Sequence, residues 1–402
     1  MPKSFRIAVL SIHSSPVGPL GTRDTGGMSV YVRETARWLA HAGHLVDIFT
    51  CAGEGDAEAV LYPGGRLIRI GRDRFSRMPK ALMANHLEEI FDCLKTVGRQ
   101  SGGAYDLVHS HYWLSGVVGE MAAKEWRCPH VIMFHTLGAA KNNAAAEENE
   151  PLGRMASERR LAQSADAVVV PTEREKENLL NHYHADSQTL YVIPCGVNAD
   201  HFKPLDRFSA RRTLNLSVDQ DLLLYVGRFT PVKGLDILLR AVSQLVKTGN
   251  RLRLIVVGGD GPAAASTQAV RRQIRQLHLG RHVHLAGRID ASVLPCYYNA
   301  ADLLVVPSRY ESFGLVMLEA LACGTPVVAT PVGAMERLLV EGENGLVVQS
   351  PDSTAVARGI AAQLARDGNK RPARESVRAT VLSYGWASVA RQLARLYSMV
   401  RI

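Results

Sequence analysis

Short apolar runs alternate with helix-length amphipathic stretches along the whole sequence, and this constrains the fold more than any other feature. In the first half the runs are residues 7–10, 46–49, 107–109, 131–134, 167–170 and 191–193. In the second they are 222–226, 252–257, 283–285, 303–306 and 326–329. A run such as Leu303-Leu304-Val305-Val306 has no polar alternation, so both its faces are buried. Strands of that kind, separated by helices, form parallel sheets of the doubly wound type, because the crossover helices cover both faces. The runs are too numerous for one comfortable sheet. A natural break follows Pro194-Cys195-Gly196-Val197-Asn198, where a Pro- and Gly-marked connection leads past Phe202 and Pro204 to a new first strand. The sequence therefore predicts an α/β chain of two Rossmann-like domains, 1–200 and 201–382.

At 402 residues the chain can bury two sizeable cores. No segment approaches the roughly 18 consecutive apolar residues of a membrane span. The opening Met1-Pro2-Lys3-Ser4-Phe5-Arg6 runs straight into a strand and lacks the pattern of a signal peptide. The six cysteines, at 51, 93, 128, 195, 296 and 323, form no close pair, so neither a zinc site nor a disulfide framework is expected. A cytoplasmic location follows as an expectation. The net charge of +9 suits acidic small molecules, nucleic acid or an anionic membrane surface. Much of it lies on solvated helix faces such as Arg271-Arg272-Gln273-Ile274-Arg275. Nucleic acid is not expected as a partner, because no basic–aromatic stripe is present. Nor is a membrane surface, because residues 33–42 form only a modestly charged helix.

The chemistry-bearing groups fall at the carboxyl ends of the strands, where ligands bind in such sheets. Glu311-Ser312-Phe313-Gly314-Leu315-Val316-Met317-Leu318-Glu319 spans a strand-to-helix turn and the helix behind it. Gly314 admits a ligand close to the backbone, and the first helical turn offers unpaired N–H groups to a phosphate. Carboxylates on either side can accept hydrogen bonds from sugar hydroxyls. Gly26-Gly27 opens the first helix, without the G-x-G-x-x-G of a dinucleotide site. Arg228 and Lys233 stand at a strand end and a helix start, placed to neutralise a diphosphate. His109-Ser110-His111-Tyr112-Trp113 and Phe134-His135-Thr136-Leu137-Gly138 each follow a first-half strand. Asp219-Gln220-Asp221 precedes a strand, at the wrong end of the sheet for a metal–diphosphate site, and reads as a turn. Alone, each of these is commonplace.

Together, Gly26-Gly27, Gly227-Arg228, Lys233-Gly234, Gly258-Gly259-Asp260-Gly261-Pro262, the Glu311-to-Glu319 segment and Gly324-Thr325-Pro326 resemble the retaining glycosyltransferases of family four, which have the GT-B fold. The resemblance spans essentially the whole chain. Asp24-Thr25-Gly26-Gly27-Met28 and the two histidine motifs are most similar to those of D-inositol-3-phosphate N-acetylglucosaminyltransferases, and sucrose-phosphate synthases share much of the pattern. The resemblance implies a nucleotide sugar (UDP-N-acetylglucosamine or UDP-glucose) as donor and a small phosphorylated acceptor such as inositol phosphate or fructose 6-phosphate. It implies no cofactor and no required divalent metal, and a homodimer is compatible with it. Arg228 and Lys233 would hold the diphosphate, with the Gly27 amide near the donor phosphate. Glu311 and the amides of Phe313, Gly314 and Leu315 would hold the transferred sugar, Glu319 the ribose, and His135 would lie beside the reacting carbon. Lys80, Tyr112, Thr136 and Arg154 would grip the acceptor phosphate. On that reading, losing Arg154 should raise acceptor KM and spare donor hydrolysis. A C-terminal helix, 383–402, would begin near Tyr384-Gly385-Trp386 and cross back to the first domain. The rival classes are a membrane-surface lipid or polysaccharide transferase, a sugar-nucleotide epimerase and a non-enzymic sugar-nucleotide sensor.

Overall fold

The computed structural model describes residues 4–18, 25–53, 55–100, 104–145, 147, 149–365 and 372–400. Two sheets organise the chain. The first holds β1 (Arg6–Leu10), β2 (Leu45–Thr50), β3 (Glu58–Tyr62), β4 (Gly65–Arg69), β5 (Leu107–His111), β6 (His130–Met133), β7 (Ala167–Val170) and β8 (Leu190–Val192). Its spatial order is β3-β4-β2-β1-β5-β6-β7-β8. The second holds β9 (Asp221–Val226), β10 (Leu252–Val257), β11 (Val283–Gly287), β12 (Leu303–Val306), β13 (Val327–Ala329) and β14 (Gly345–Val347), in the order β11-β10-β9-β12-β13-β14. Neighbours pair in parallel, and β3 pairs with β4 antiparallel. Strand order reverses between β1 and β5 in one sheet and between β9 and β12 in the other. Such switch points open a crevice beyond the carboxyl ends of the strands.

Every apolar run read from the sequence is a strand. Strands β3, β4 and β14 were not expected. The β3–β4 hairpin escapes a search for apolar runs because β3 is largely solvent-facing and Arg66 and Arg69 interrupt β4. Polar chemistry pins it instead: Arg66 donates from Nε and Nη2 to the two Asp47 carboxylate oxygens, both at 2.7 Å. A fork onto a carboxylate fixes geometry as well as energy. β14 is too short to announce itself.

Helix Trp386–Val400 follows the second sheet and returns to the first, packing on helix Gly27–His41. Its buried residues Trp386, Val389, Ala390, Leu393, Leu396 and Tyr397 make one apolar stripe. Trp386 meets Tyr31 edge-on at 5.7 Å between ring centroids, and the Tyr397 hydroxyl lies 2.7 Å from His109 Nδ1. The outgoing and returning connections touch where they cross, Val197 N donating to Tyr384 O at 2.8 Å. Among the described residues no helix is long and apolar enough to cross a membrane.

Candidate active site

On the second sheet, the turn Pro231–Lys233 leads from the end of β9 into helix Leu235–Lys247. Gly234 caps that helix with φ 64°, and a Cβ there would sit 1.9 Å from the Pro307 carbonyl oxygen. Only glycine permits so close an approach. It seats Lys233 beside the end of β12, where Nζ donates to Glu311 Oε1 at 2.6 Å. Ser308 Oγ donates to the same oxygen at 2.9 Å. Arg228 is exposed, and its carbonyl accepts from Tyr225 OH at 2.9 Å. Burial pushes the Tyr225 phenol upward and Glu311 adds to this, while Arg228 opposes it, so both charges lie within electrostatic reach of one ring.

Gly314 caps helix Leu315–Ala322 with φ 103°; the Met317 amide donates back to the Gly314 carbonyl at 3.0 Å, and the Leu315 and Val316 amides before it have no i−4 partner within the helix. Phe313 is held from behind, its carbonyl accepting from Ala334 N at 3.0 Å. Further along the helix, Glu319 Oε2 accepts from Tyr298 OH at 2.6 Å. Burial raises the Glu319 carboxyl, and the Tyr298 bond counters it. Glu319 lines a cavity of about 260 Å³ together with Leu315, Leu294, His201, Val30 and Trp386. The first sheet's helix Gly27–His41 starts directly opposite, since a Cβ on Gly27 would lie 3.3 Å from Leu315 Cδ1. Two helix N-termini therefore face one gap from opposite sheets. The positive ends of the two helices are directed at that gap, a polarity that favours an anion. Asp24, and residues 22 and 23 before it, lie outside the described residues.

On the first sheet, Tyr112 (φ 76°) follows β5, and Phe134 and His135 (φ 61°) follow β6. Aromatic residues in the left-handed region are strained by roughly 1–3 kcal/mol each, and such strain gathers at functional sites. Lys80, Tyr112, Thr136 and Arg154 come together, which their spacing could not have shown. Lys80 Nζ lies 5.2 Å from the Tyr112 ring centroid and Arg154 Cζ 4.8 Å from it. Arg154 Nη2 donates to Thr136 O at 2.6 Å and to Thr136 Oγ1 at 3.1 Å. The remaining donors of Arg154 are largely committed too: Nε to Glu158 Oε1 at 2.6 Å and Nη1 to Glu150 Oε2 at 2.8 Å. Its side chain is 1% exposed. Burial opposes ionisation of Glu150, yet Arg154 and Lys141 hold its carboxyl at about 2. Arg154 is thus a buried, neutralised cation whose bond to Thr136 Oγ1 leaves the threonine proton to be donated elsewhere.

His13, just past the end of β1, completes this cluster, its ring 4.5 Å from that of Tyr112. Its place at a strand's carboxyl end was the available signal, and the sequence reading passed over it. His135 Nε2 lies 2.9 Å from His111 Nδ1, and Tyr31 stands edge-on at 5.2 Å. Burial lowers His135 to about 3, so it is neutral near pH 7. His109 and His130 are also lowered to about 3, chiefly by burial. Their folded pKa lies below the unfolded value near 6.5, so acid protonates the unfolded chain first. Stability is therefore complete above pH 6.5 and falls as pH drops toward 3. Each such histidine costs up to about 1.4 kcal/mol per pH unit in that window. Melting temperatures between pH 7.5 and 5 should fall clearly, and a flat profile would show that these rings are not buried neutral. Among the described residues no three His, Cys, Asp or Glu side chains gather as a metal site.

The glycosyltransferase Family 4 pattern matches residues 25–201, and that of glycosyl transferases group 1 matches residues 206–379. A D-inositol 3-phosphate glycosyltransferase of Xylanimonas cellulosilytica is 36% identical, covering 98% of this chain and 96% of that protein. The chain belongs to the glycosyltransferases of family four. Among solved structures, sucrose-phosphate synthase from Thermosynechococcus elongatus superposes with a TM-score of 0.90 at 32% identity, covering 98% of this chain and 99% of that one. Anabaena HepE, solved in complex with UDP-glucose, shares the fold at a TM-score of 0.77 and 20% identity, covering 98% and 100%. This glycosyltransferase is therefore a GT-B enzyme of the inositol-phosphate glycosyltransferase type. Its cleft lies between the two sheets.

Proposed function

We propose that the enzyme transfers a hexosyl group, with retention of configuration, from UDP-N-acetylglucosamine or UDP-glucose to a small phosphorylated acceptor, inositol phosphate first among them. The observation that carries this reading is the convergence of Lys80, Tyr112 and Thr136 on the first sheet, across the cleft from Lys233, Glu311 and the paired helix N-termini. Lys80 offers a charge, and Tyr112 and Thr136 offer hydroxyl donors, a set that suits phosphate. Arg154 acts behind them by orienting Thr136. Relatives named D-inositol 3-phosphate glycosyltransferase, at 36% identity over nearly the full length, support the acceptor class.

The chemistry asks for stabilisation of a departing diphosphate. Arg228, Lys233 and the amides at Gly27 and Gly314 supply positive potential where that charge develops, which is the largest single resource of such sites. Neutral His135, beside the sugar, accepts or donates a hydrogen bond without competing for the diphosphate. The diphosphate leaving group itself deprotonates the incoming hydroxyl on the same face, so no enzymic nucleophile is used. Because protein cations supply the charge, activity is expected to survive EDTA. Loss on chelation, restored by Mg²⁺ or Mn²⁺, would show that the leaving group is stabilised differently.

Sucrose-phosphate synthase, at a TM-score of 0.90, supports the second reading, transfer to fructose 6-phosphate. One kinetic comparison tests both: inositol phosphate against inositol, and fructose 6-phosphate against fructose, each with both UDP-sugars. A preference of about a hundredfold or more for one phosphorylated acceptor is expected. Equal use of phosphorylated and free acceptors would refute the phosphate pocket.

A further inference from the structure

Tyr310 immediately precedes Glu311, and its hydroxyl leaves the second domain altogether. It accepts from the Leu137 amide at 3.2 Å and donates to the Glu175 carboxylate, at 3.2 Å from Oε1 and 3.4 Å from Oε2. Leu137 follows Thr136 in the acceptor loop. Glu175 is buried in the first turn of helix Glu173–Tyr183, its amide donating to the capping Thr172 hydroxyl at 3.1 Å. Both ends of this bridge are tied down by further hydrogen bonds. On the donor side, Arg309 forks onto Asp236 at 2.8 and 2.7 Å, and its amide donates to Val232 O at 2.7 Å. A second contact runs alongside. Arg174 Nη1 donates to the Pro331 carbonyl and lies 3.0 Å from Glu336 Oε2. That segment backs the donor loop, because a Cβ on Gly333 would sit 3.0 Å from Glu311 Cβ.

We propose that Tyr310 is a positioning residue which holds the donor loop and the acceptor loop in one register, so that the sugar passes to the acceptor hydroxyl rather than to water. Both competing reactions break the same bond between the sugar and the diphosphate, and they differ only in which hydroxyl arrives. A latch that fixes the distance between Glu311 and Thr136 therefore acts on the ratio of the two rates. Displacements of about 1 Å in such a geometry cost up to a hundredfold. The inference rests on the donor lying at Glu311 and the acceptor at Thr136.

Tyr310→Phe removes one hydroxyl and keeps the ring. Amide hydrogen exchange at Leu137 in the ligand-free protein should quicken by about tenfold or more, since its acceptor is gone. The ratio of donor hydrolysis to transfer should rise by about tenfold. Arg174→Ala, at an exposed position, should raise the ratio in the same direction and guards against a folding defect in the first variant. An unchanged ratio of hydrolysis to transfer in both variants would overturn the proposal, and unchanged exchange at Leu137 would overturn the bridge on which it stands. The exchange measurement needs no substrate, so the latch is judged even if the acceptor screen contradicts the proposed function.

Discussion

Lys233→Ala should lower kcat by about two orders of magnitude or more, with a smaller effect on donor KM. The lysine stands at a helix start, 2.6 Å from Glu311, which lies three residues before the Gly314 cap of helix Leu315–Ala322. Before the donor binds, its charge is balanced by Glu311. On the proposed function, Lys233 follows the negative charge that grows as the leaving group departs, while Ser308, 2.9 Å from Glu311, continues to hold that carboxylate. Removing the ammonium takes away a transition-state interaction and also leaves Glu311, 10% exposed, without its cation. The two effects separate by thermal melting: a melting temperature for Lys233→Ala near wild type assigns the slow turnover to the missing cation, and a clear drop assigns part of it to the disturbed Glu311. Arg228→Ala should fall in the same range, because the guanidinium shares that field. Turnover near wild type in both single variants would end the assignment.

What the sequence disclosed follows from the range of each signal. The two-sheet architecture was legible because buried parallel strands must be continuous apolar runs, and each such run proved to be a strand. Residues 311–319 were legible as a strand–turn–helix because Pro307, Gly314 and Gly324 punctuate them locally. Strands β3 and β4 were hidden because their order comes from Asp47, distant in sequence, rather than from their own apolar pattern. Convergence of Lys80, Tyr112, Thr136 and Arg154 rested on resemblance alone, since spacing says nothing about loops from four different places. Tyr310 and Glu175 were missed for the same reason, whereas His13 stood at the carboxyl end of a strand and was legible there. The state of Arg154 was only partly hidden: Glu158 stands four residues on in the same helix, a spacing at which charges pair, while Glu150 reaches it from the segment before that helix.

That pairing changes what Arg154→Ala should do. The family resemblance led to an acceptor-specific defect, with raised KM and intact donor hydrolysis. In the folded protein the guanidinium instead sits between two carboxylates, and Glu158 is fully buried. Glu158 also accepts from Gly138 N at 2.9 Å and Tyr183 OH at 2.6 Å, so it cannot turn away to solvent when its cation is lost. Removing one partner of a buried pair costs about 3–5 kcal/mol. Against a total stability of about 5–15 kcal/mol this is a large fraction. Thermal melting of Arg154→Ala should fall by roughly 10 °C or more, at about 2–4 °C per kcal/mol for a domain of this size. Both transfer and donor hydrolysis should decline as the acceptor loop loosens. Arg154→Met combined with Glu158→Gln removes the buried charges as a pair and should recover part of the melting temperature without restoring Thr136. Acceptor use should then remain weak, because nothing directs the threonine hydroxyl. A melting temperature for Arg154→Ala within a degree or two of wild type would mean that Glu150 and Glu158 find other partners. The buried pair would then contribute little to the stability of the fold.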